Sequence, residues 1–224
     1  MMHTNSLLRS VLLLIFIGFF TNCAFNRLPT SNERSKILAG ERAIVLFRVT
    51  AELLDGTPVS AFPTNYMPDN VNIGLGTADT DGELKVVDSP LFLSTELREE
   101  GWIYLILEPG THYVGIMGPQ MTDYDLWKQN IELAQNWRID IPVGTHVVYI
   151  GTIHLYCRGM TSVFLGKIAK RCIEIDERRT VIQNEAVLSQ KLAAEYFGDY
   201  GSPQILPIQR LDLDTILFDP PGTK

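Results

Sequence analysis

The stretch AIVLFRV at residues 43–49 decides the fold class of this chain. All of its residues except Arg48 are apolar, and several are β-branched. A strand with one buried face alternates apolar and polar residues, whereas a continuous apolar run is typical of a strand that is buried on both faces or lies at the centre of a sheet. We therefore predict a central buried strand here, which ends before the turn residues Gly56-Thr57-Pro58.

Further strands are predicted along the chain by short apolar runs that turn residues separate. They cover residues 71–75, 84–87, 102–107, 113–117, 137–141 and 147–156. Within WRIDI at residues 137–141 the apolar residues alternate with charged ones, as in a strand with one buried face. The number and spacing of these strands indicate a mainly β fold, and we predict an antiparallel β-sandwich over residues 36–183.

The C-terminal part, residues 184–224, is predicted to contain one α-helix and a tail that both pack on the sandwich. Apolar residues recur at near-helical spacing up to Phe197, with Asn184 as a candidate N-cap and Gly198 as the stop. Thr180 with Gln183 forms an alternative capping box, which would start the helix one turn earlier. We expect the helix to cover an open face or edge of the sheets, and the proline-containing tail to dock on its own domain rather than on a partner.

The N-terminal residues have the order of an export signal. Arg9 precedes an uncharged apolar run at residues 11–20, which is half the length of about 20 residues that a membrane-spanning helix needs. The run ends in the sequence FTNC at residues 20–23, which resembles the end of a bacterial lipoprotein signal, where cleavage precedes a lipid-modified cysteine. Residues 1–22 are therefore predicted to be a signal peptide. An ordinary cleaved signal or a free cysteine is the alternative.

The resemblance to lipoproteins implies that Cys23 carries diacylglycerol and a further acyl chain such as palmitate. Ala24 after it resembles the residue of proteins sorted to the outer membrane, so we expect a lipoprotein facing the periplasm. Two or three acyl chains contribute about 0.8 kcal/mol per buried CH₂, enough for stable anchoring. Residues 23–35 are predicted to be a lipid-anchored tether, because those after the cysteine are polar and include Pro29.

The net charge of the chain excludes two classes of partner. Loss of residues 1–22 removes one base, Arg9, and no acid, which takes the formal net charge from −7 to −8. An acidic body is a poor binder of nucleic acid and is repelled by anionic membrane surfaces. We therefore expect contact with lipid through the N-terminal anchor rather than through a basic face, and a partner among the envelope proteins.

Two short segments resemble a known class of exported β-domain. The Pro-Gly turn at residues 109–110, with the strands before and after it, is similar to the transthyretin-like or carboxypeptidase-regulatory-like domains of exported bacterial proteins. The sequence VVYIGTI at residues 147–153 resembles a strand of uncharacterised lipoproteins of that type. This resemblance implies a fold and no activity.

With Cys23 set aside, Cys157 and Cys172 remain in a compartment that oxidises thiols, and a disulfide between them is one of two open possibilities. The bond requires Cα atoms within about 7 Å, which a tight hairpin at Gly159 would not allow but a wide loop or two separate strands would. Two buried free thiols are the alternative. A closed loop of about 15 residues would contribute roughly 3 kcal/mol.

No catalytic or metal motif is present, and we predict no cofactor and no enzymatic activity. His112 and His146 occupy equivalent places in two similar turns and form the one metal hypothesis worth testing; His154 is predicted to be a strand residue. Residues 79–83 resemble the opening of a calcium loop but are expected to form a β-turn with Asp81-Gly82 at its tip, because position 12 of such a loop would be Pro90. The acidic residues at 96–100 and at Asp123 and Asp125 are expected to be solvated loop acids. The alternatives to a non-enzymatic interaction or structural lipoprotein are a hydrolase or metal-dependent enzyme using His112, His146 and these loop carboxylates, and a ligand-binding module using Trp127.

Overall fold

The computed structural model describes residues 27–61, 72–78, 84–86, 91–117, 137–163, 169–172, 176, 179–206 and 208–210. Its helices in these ranges are α1 (Ser31–Leu38), α2 (Thr95–Glu99) and α3 (Ala186–Phe197). The strands are β1 (Ala43–Leu53), β2 (Pro58–Val59), β3 (Asn72–Ala78), β4 (Leu84–Val86), β5 (Trp102–Leu107), β6 (Gly110–Met117), β7 (Trp137–Ile141), β8 (Val147–Cys157), β9 (Met160–Val163), β10 (Ala169–Cys172), β11 (Val181–Gln183), β12 (Gln204–Ile205) and β13 (Gln209–Arg210).

The central sheet is built around β1 and β8. On one side β1 pairs antiparallel with β5 and β2, and on the other it pairs parallel with β8. The far edge of β8 carries β11 in antiparallel and β12 in parallel orientation. The prediction of an antiparallel sheet is wrong here, because the central sheet is mixed. Strand direction depends on how the connections cross the molecule, and apolar patterning does not record it.

The second sheet has the order β13-β7-β6-β3-β4, and every pairing within it is antiparallel. Its β7 contributes Trp137, Ile139 and Ile141 to a hydrophobic cluster that also contains residues of β1, β5 and β8. The alternation of apolar and charged residues in β7 therefore marks one buried face, as predicted. The C-terminal tail joins the two sheets, since β12 lies in the central sheet and β13 in the second.

The central sheet is buried on both faces, which confirms the prediction made from residues 43–49. Val45, Phe47 and neighbouring residues face the second sheet. Ile44 and Leu46 lie in another cluster together with residues of α1 and α3. The molecule thus has three layers: the second sheet, the central sheet and a helical layer. A strand enclosed in this way has no face that favours polar residues, which explains its continuous apolar sequence.

The predicted C-terminal helix is present, with different ends. Its N-cap is Glu185, while the side chain of Asn184 accepts a hydrogen bond from the backbone N–H of Ala186 at 3.1 Å. After Phe197 the chain continues as a 3-10 turn through Gly198, whose backbone is right-handed helical. The left-handed residue that ends this turn is Gly201, with φ +92°. Buried Leu192, Ala193 and Phe197 attach the helix to the central sheet.

The segment predicted to be a tether differs from a simple linker. Thr30 caps α1 in a capping box with Glu33, so the helix begins inside residues 23–35. Arg27 already lies on the domain, because its backbone N–H donates to the carbonyl of Phe92 at 2.9 Å and its carbonyl accepts from the hydroxyl of Tyr104. Its guanidinium pairs with both carboxylate oxygens of Glu33, at 2.6 and 2.8 Å.

Candidate functional site

The best-formed polar cluster in the described part of the chain joins α3 to the central sheet. Arg48 of β1 donates from Nη1 to both carboxylate oxygens of Glu185 at 3.1 Å, and from Nε to the carbonyl of Glu100 at 2.8 Å. Thr152 of β8 donates its hydroxyl proton to Oε2 of Glu185 at 2.5 Å. We call Arg48, Tyr149, Thr152 and Glu185 the α3 clamp, because they bind the N-cap of the helix to the sheet.

Three hydrogen bonds of the clamp form a closed ring. The backbone N–H of Glu185 lies 3.2 Å from the Tyr149 hydroxyl, which lies 3.1 Å from the hydroxyl of Thr152. Because the hydroxyl group of Thr152 donates its one proton to Glu185, the Tyr149 hydroxyl is the donor in its hydrogen bond with Thr152. Burial is the main factor that raises the pKa of Tyr149, so the phenol stays protonated and keeps this direction of donation.

A β-bulge places the two hydroxyl groups of the clamp on one face. The register between β1 and β8 shifts between the pairs Leu46–Tyr149 and Arg48–Thr152. The extra residue of β8 is accommodated at Gly151, whose φ of +117° is unfavourable for a residue with a side chain. Tyr149 and Thr152 would lie on opposite faces of a regular strand, and the bulge brings them together.

The side chain of Arg48 also covers an aromatic ring. Its guanidinium carbon lies 5.7 Å from the ring centre of Trp102, and that ring is 6.2 Å from the ring of Tyr149. Trp102 is fully buried, and its indole N–H has no hydrogen-bond partner among the described residues. The clamp therefore combines an ion pair, buried hydroxyls and an aromatic floor, which together fix where α3 begins.

A second polar group continues the same face of β1 and β8. His154 Nδ1 lies 2.8 Å from the hydroxyl of Thr50, and its Nε2 lies 3.5 Å from a carboxylate oxygen of Glu52. The ring of Tyr156 packs edge-on against the imidazole at 4.9 Å. A hydroxyl, an imidazole and a carboxylate in a row can relay a proton. We call Thr50, Glu52 and His154 the polar row.

The two histidines of the metal hypothesis, His112 and His146, contact different backbone carbonyls. His112 is buried and Nε2 contacts the carbonyl of Glu108 at 2.7 Å; burial is the main cause that lowers its pKa. His146 contacts the carbonyl of Tyr200 through Nδ1 at 3.3 Å. Within the ranges that the structure describes, no three histidine, cysteine or acidic side chains are grouped as metal ligands.

The cysteines occupy two neighbouring elements. Cys157 is fully buried at the end of β8 and is disulfide-bonded. In the β9–β10 pair the backbone of Cys172 lies opposite Met160, three residues beyond Cys157. β9 and β10 pair antiparallel with Val163 opposite Ala169, so the tight hairpin at Gly159 that would keep the two cysteines apart does not occur. The pairing of Cys157 with Cys172 stays a prediction that this register favours.

Several predicted residues lie outside the described ranges: Cys23, the acidic residues 79–83, Asp123, Asp125 and Trp127. Trp102 and Trp137 are buried in the core. The sequence interpretation overlooked the α3 clamp. Its one available signal was Arg48, a charge inside an otherwise apolar strand, because a buried charge requires a partner.

An apolar surface borders the clamp. Val187 and Leu188 at the start of α3 are 84% and 38% exposed, and Val181 of β11 is 43% exposed. A shallow cavity of about 570 Å³ lies along the start of the helix, lined by Asn184, Glu185, Ala186, Val187, Leu188 and Lys191. We call Val187 and Leu188 the α3 patch.

No family model, curated protein or solved structure matches the chain. Among the described helices, none combines the length and the hydropathy needed to cross a bilayer.

Proposed function

We propose that the chain is a lipid-anchored envelope lipoprotein that acts through binding rather than catalysis, with Cys23 as the anchor and the α3 patch as the surface that contacts a protein partner. The single observation that carries the binding role is the exposure of Val187 next to a rigid support. Adjacent apolar side chains at a surface favour protein contact. The clamp holds the start of α3 in place, so the patch is pre-organised for binding.

The clamp itself supports a structural role better than a catalytic one. Each of its polar groups is already engaged by another: Arg48 by Glu185 and a carbonyl, Thr152 by Glu185, and Tyr149 by Thr152 and a backbone N–H. A catalytic group needs a free position for substrate. A closed ring provides rigidity instead.

The shared core of the two sheets also supports the finer assignment of the fold as a sandwich of the transthyretin-like kind. In that assignment the second sheet is the antiparallel layer, and the central sheet is a mixed variant with a helical cover. The export signal and anchor are consistent with such domains in the bacterial envelope. Fold resemblance alone assigns no activity.

The anchor is tested by the mass of the mature protein purified from membranes. We expect cleavage before Cys23 and a mass increase that corresponds to diacylglycerol and an acyl chain. The Cys23→Ala variant should lack this increase and leave the membrane fraction. An unmodified Cys23, or cleavage elsewhere, would contradict the anchor.

The binding surface is tested by photo-crosslinking in cells, with a photoreactive amino acid at position 187 or at position 143. Val143 is a matched control, because it is also a valine and is 87% exposed in a turn. We expect one discrete adduct from position 187 that is absent from position 143, and its loss when Leu188 is changed to Asp. Equal labelling from both positions would refute the α3 patch as a specific surface.

The polar row supports a second candidate function, hydrolysis with Thr50 as nucleophile and His154 as base. The observation in its favour is the 2.8 Å contact between the two side chains. Activity towards model ester and peptide substrates that disappears in Thr50→Val and His154→Gln variants, while their unfolding midpoints stay near wild type, would support this function. Retained activity in both variants would exclude it.

A further inference from the structure

We infer that the lipid anchor fixes the orientation of the domain: the end that carries Arg27 and α1 lies against the membrane surface, and the end that carries the β1–β2 turn and the β9–β10 hairpin points away. This inference rests on the proposed anchoring of Cys23. The structural observation that supports the orientation is that the chain is attached to the domain from Arg27 onward.

The contacts of Arg27 shorten the free tether to a few residues. Its N–H and carbonyl bind Phe92 and Tyr104, and its guanidinium forms a two-point ion pair with Glu33. Only residues 24–26 separate this docked residue from Cys23. Even a fully extended chain spans at most about 3.6 Å per residue, so the lipid-bearing residue lies within about 14 Å of Arg27.

The far end of the domain is beyond this reach. Tyr104, which holds the carbonyl of Arg27, pairs with Leu46 in β1. Leu54, the first residue after β1, is eight residues further along, a distance of about 26 Å at 3.3 Å per residue. β8 runs parallel to β1 and ends at Cys157 opposite Leu53, so the hairpin that follows it belongs to this same distant end. A tether of about 14 Å therefore holds the Arg27 end close to the lipid-bearing residue and keeps the distant end at least about 12 Å from Cys23.

The Arg27 end therefore contacts the lipid surface itself. Two exposed leucines at this end are compatible with such contact. Leu28 is 53% exposed directly after the docked arginine, and Leu38 is 48% exposed at the end of α1. Apolar side chains at this end tolerate contact with a bilayer interface, whereas the acidic net charge of the chain would oppose a general attraction to anionic lipid.

The orientation is tested with lipidated full-length protein in vesicles whose outer leaflet contains lipids that bear a nitroxide on the headgroup. A fluorophore is attached through an azide-bearing amino acid at position 32, on α1, or at position 54, after β1, since both residues are exposed. This chemistry leaves the cysteines unmodified. We expect quenching several-fold stronger at position 32 than at position 54.

A flexible insertion is the matched control. Twelve Gly and Ser residues between Ala24 and Phe25 add an average span of about 19 Å, which should remove most of the difference between the two positions. Equal quenching in the protein without the insertion, or stronger quenching at position 54, would overturn the orientation and leave the anchor intact. Loss of vesicle binding for a correctly folded protein would instead refute the proposed anchoring.

Discussion

Replacement of Glu185 by alanine should loosen α3 from the central sheet more than any other single change of an exposed or half-buried acid in the described chain. The substitution removes the counter-charge of Arg48 and the acceptor of the Thr152 proton. Thr152 is 1% exposed, so its hydroxyl group is shielded from solvent in the native structure and depends on Glu185 as its acceptor. The side chains of Arg48 and Glu185 are 22% and 30% exposed, so solvent weakens their pairing.

The expected cost follows from these exposures. Breaking a fully buried ion pair costs 3–5 kcal/mol, and a hydrogen bond to a charged group contributes roughly 1.5–3 kcal/mol. For this half-buried pair we expect Glu185→Ala to lower the free energy of unfolding by about 2–3 kcal/mol, which corresponds to a decrease in Tm of about 4–12 °C for a domain of this size. Glu185→Gln keeps an acceptor for Thr152 and should cost about 1 kcal/mol.

Urea unfolding of the non-reduced protein measures these differences, and hydrogen exchange of the α3 amides locates them. The matched control is Glu41→Ala, which removes an exposed carboxylate near β1 and should change stability by less than about 0.5 kcal/mol. A double-mutant cycle with Arg48→Met should give a coupling energy of about 1 kcal/mol. If Glu185→Ala is no more destabilising than Glu41→Ala, the clamp does not hold the helix.

Three further changes test other parts of the structure. Gly101→Ala should lower the free energy of unfolding by at least about 3 kcal/mol, because φ is +89° and a Cβ would lie 1.9 Å from the carbonyl oxygen of Val49. Near-normal stability of this variant would show that the turn before β5 does not have this conformation. The ion pair with Arg27 lowers the pKa of Glu33 from 4.5 to about 2, so its stabilisation is present above pH 4.5 and disappears as the pH falls towards 2. Glu33→Gln should therefore cost about 1–2 kcal/mol at neutral pH, after allowance for solvent screening, and almost nothing below about pH 2; parallel pH profiles of unfolding for both proteins would contradict this. Peptide mapping without reduction should connect Cys157 to Cys172, and Cys157→Ser should cost about 2–4 kcal/mol; a link from Cys157 to Cys23 would exclude both this pairing and the lipid anchor.

Seven of the thirteen described strands could be predicted, β1 and β3–β8, because the information that defines them is local. β5 and β7 have the predicted bounds, β1 extends its predicted run by four residues, and β8 extends its run by one. Continuous apolar sequence in β1 and alternation in β7 depend only on which faces are covered. The parallel pairing of β1 with β8 depends on the path of all the chain between them, so the predicted antiparallel arrangement holds for the second sheet alone.

The clamp could not be predicted, because its members are distant in sequence and one of them is positioned by an irregularity. Alternation assigns Tyr149 and Thr152 to opposite faces of a regular strand. The bulge at Gly151 reverses this assignment for every residue that follows, including His154. A glycine within the apolar run VVYIGTI was the only local indication of a bulge, and glycine has other uses in strands.

In the inferred orientation, the polar row lies on the part of the molecule that is distant from the membrane. Along the helix-facing side of β1 the residues change from Ile44 and Leu46, buried under the helical layer, to Arg48 and then to Thr50 and Glu52. Glu52 lies six residues beyond Leu46, about 20 Å further from the point where Arg27 docks. In the proposed anchored orientation, with the Arg27 end at the membrane, the row is displaced away from the lipid. A solute or protein would then reach His154 without displacing the proposed anchor. Lengthening the tether should leave any activity or binding at the row unchanged while it abolishes the orientation.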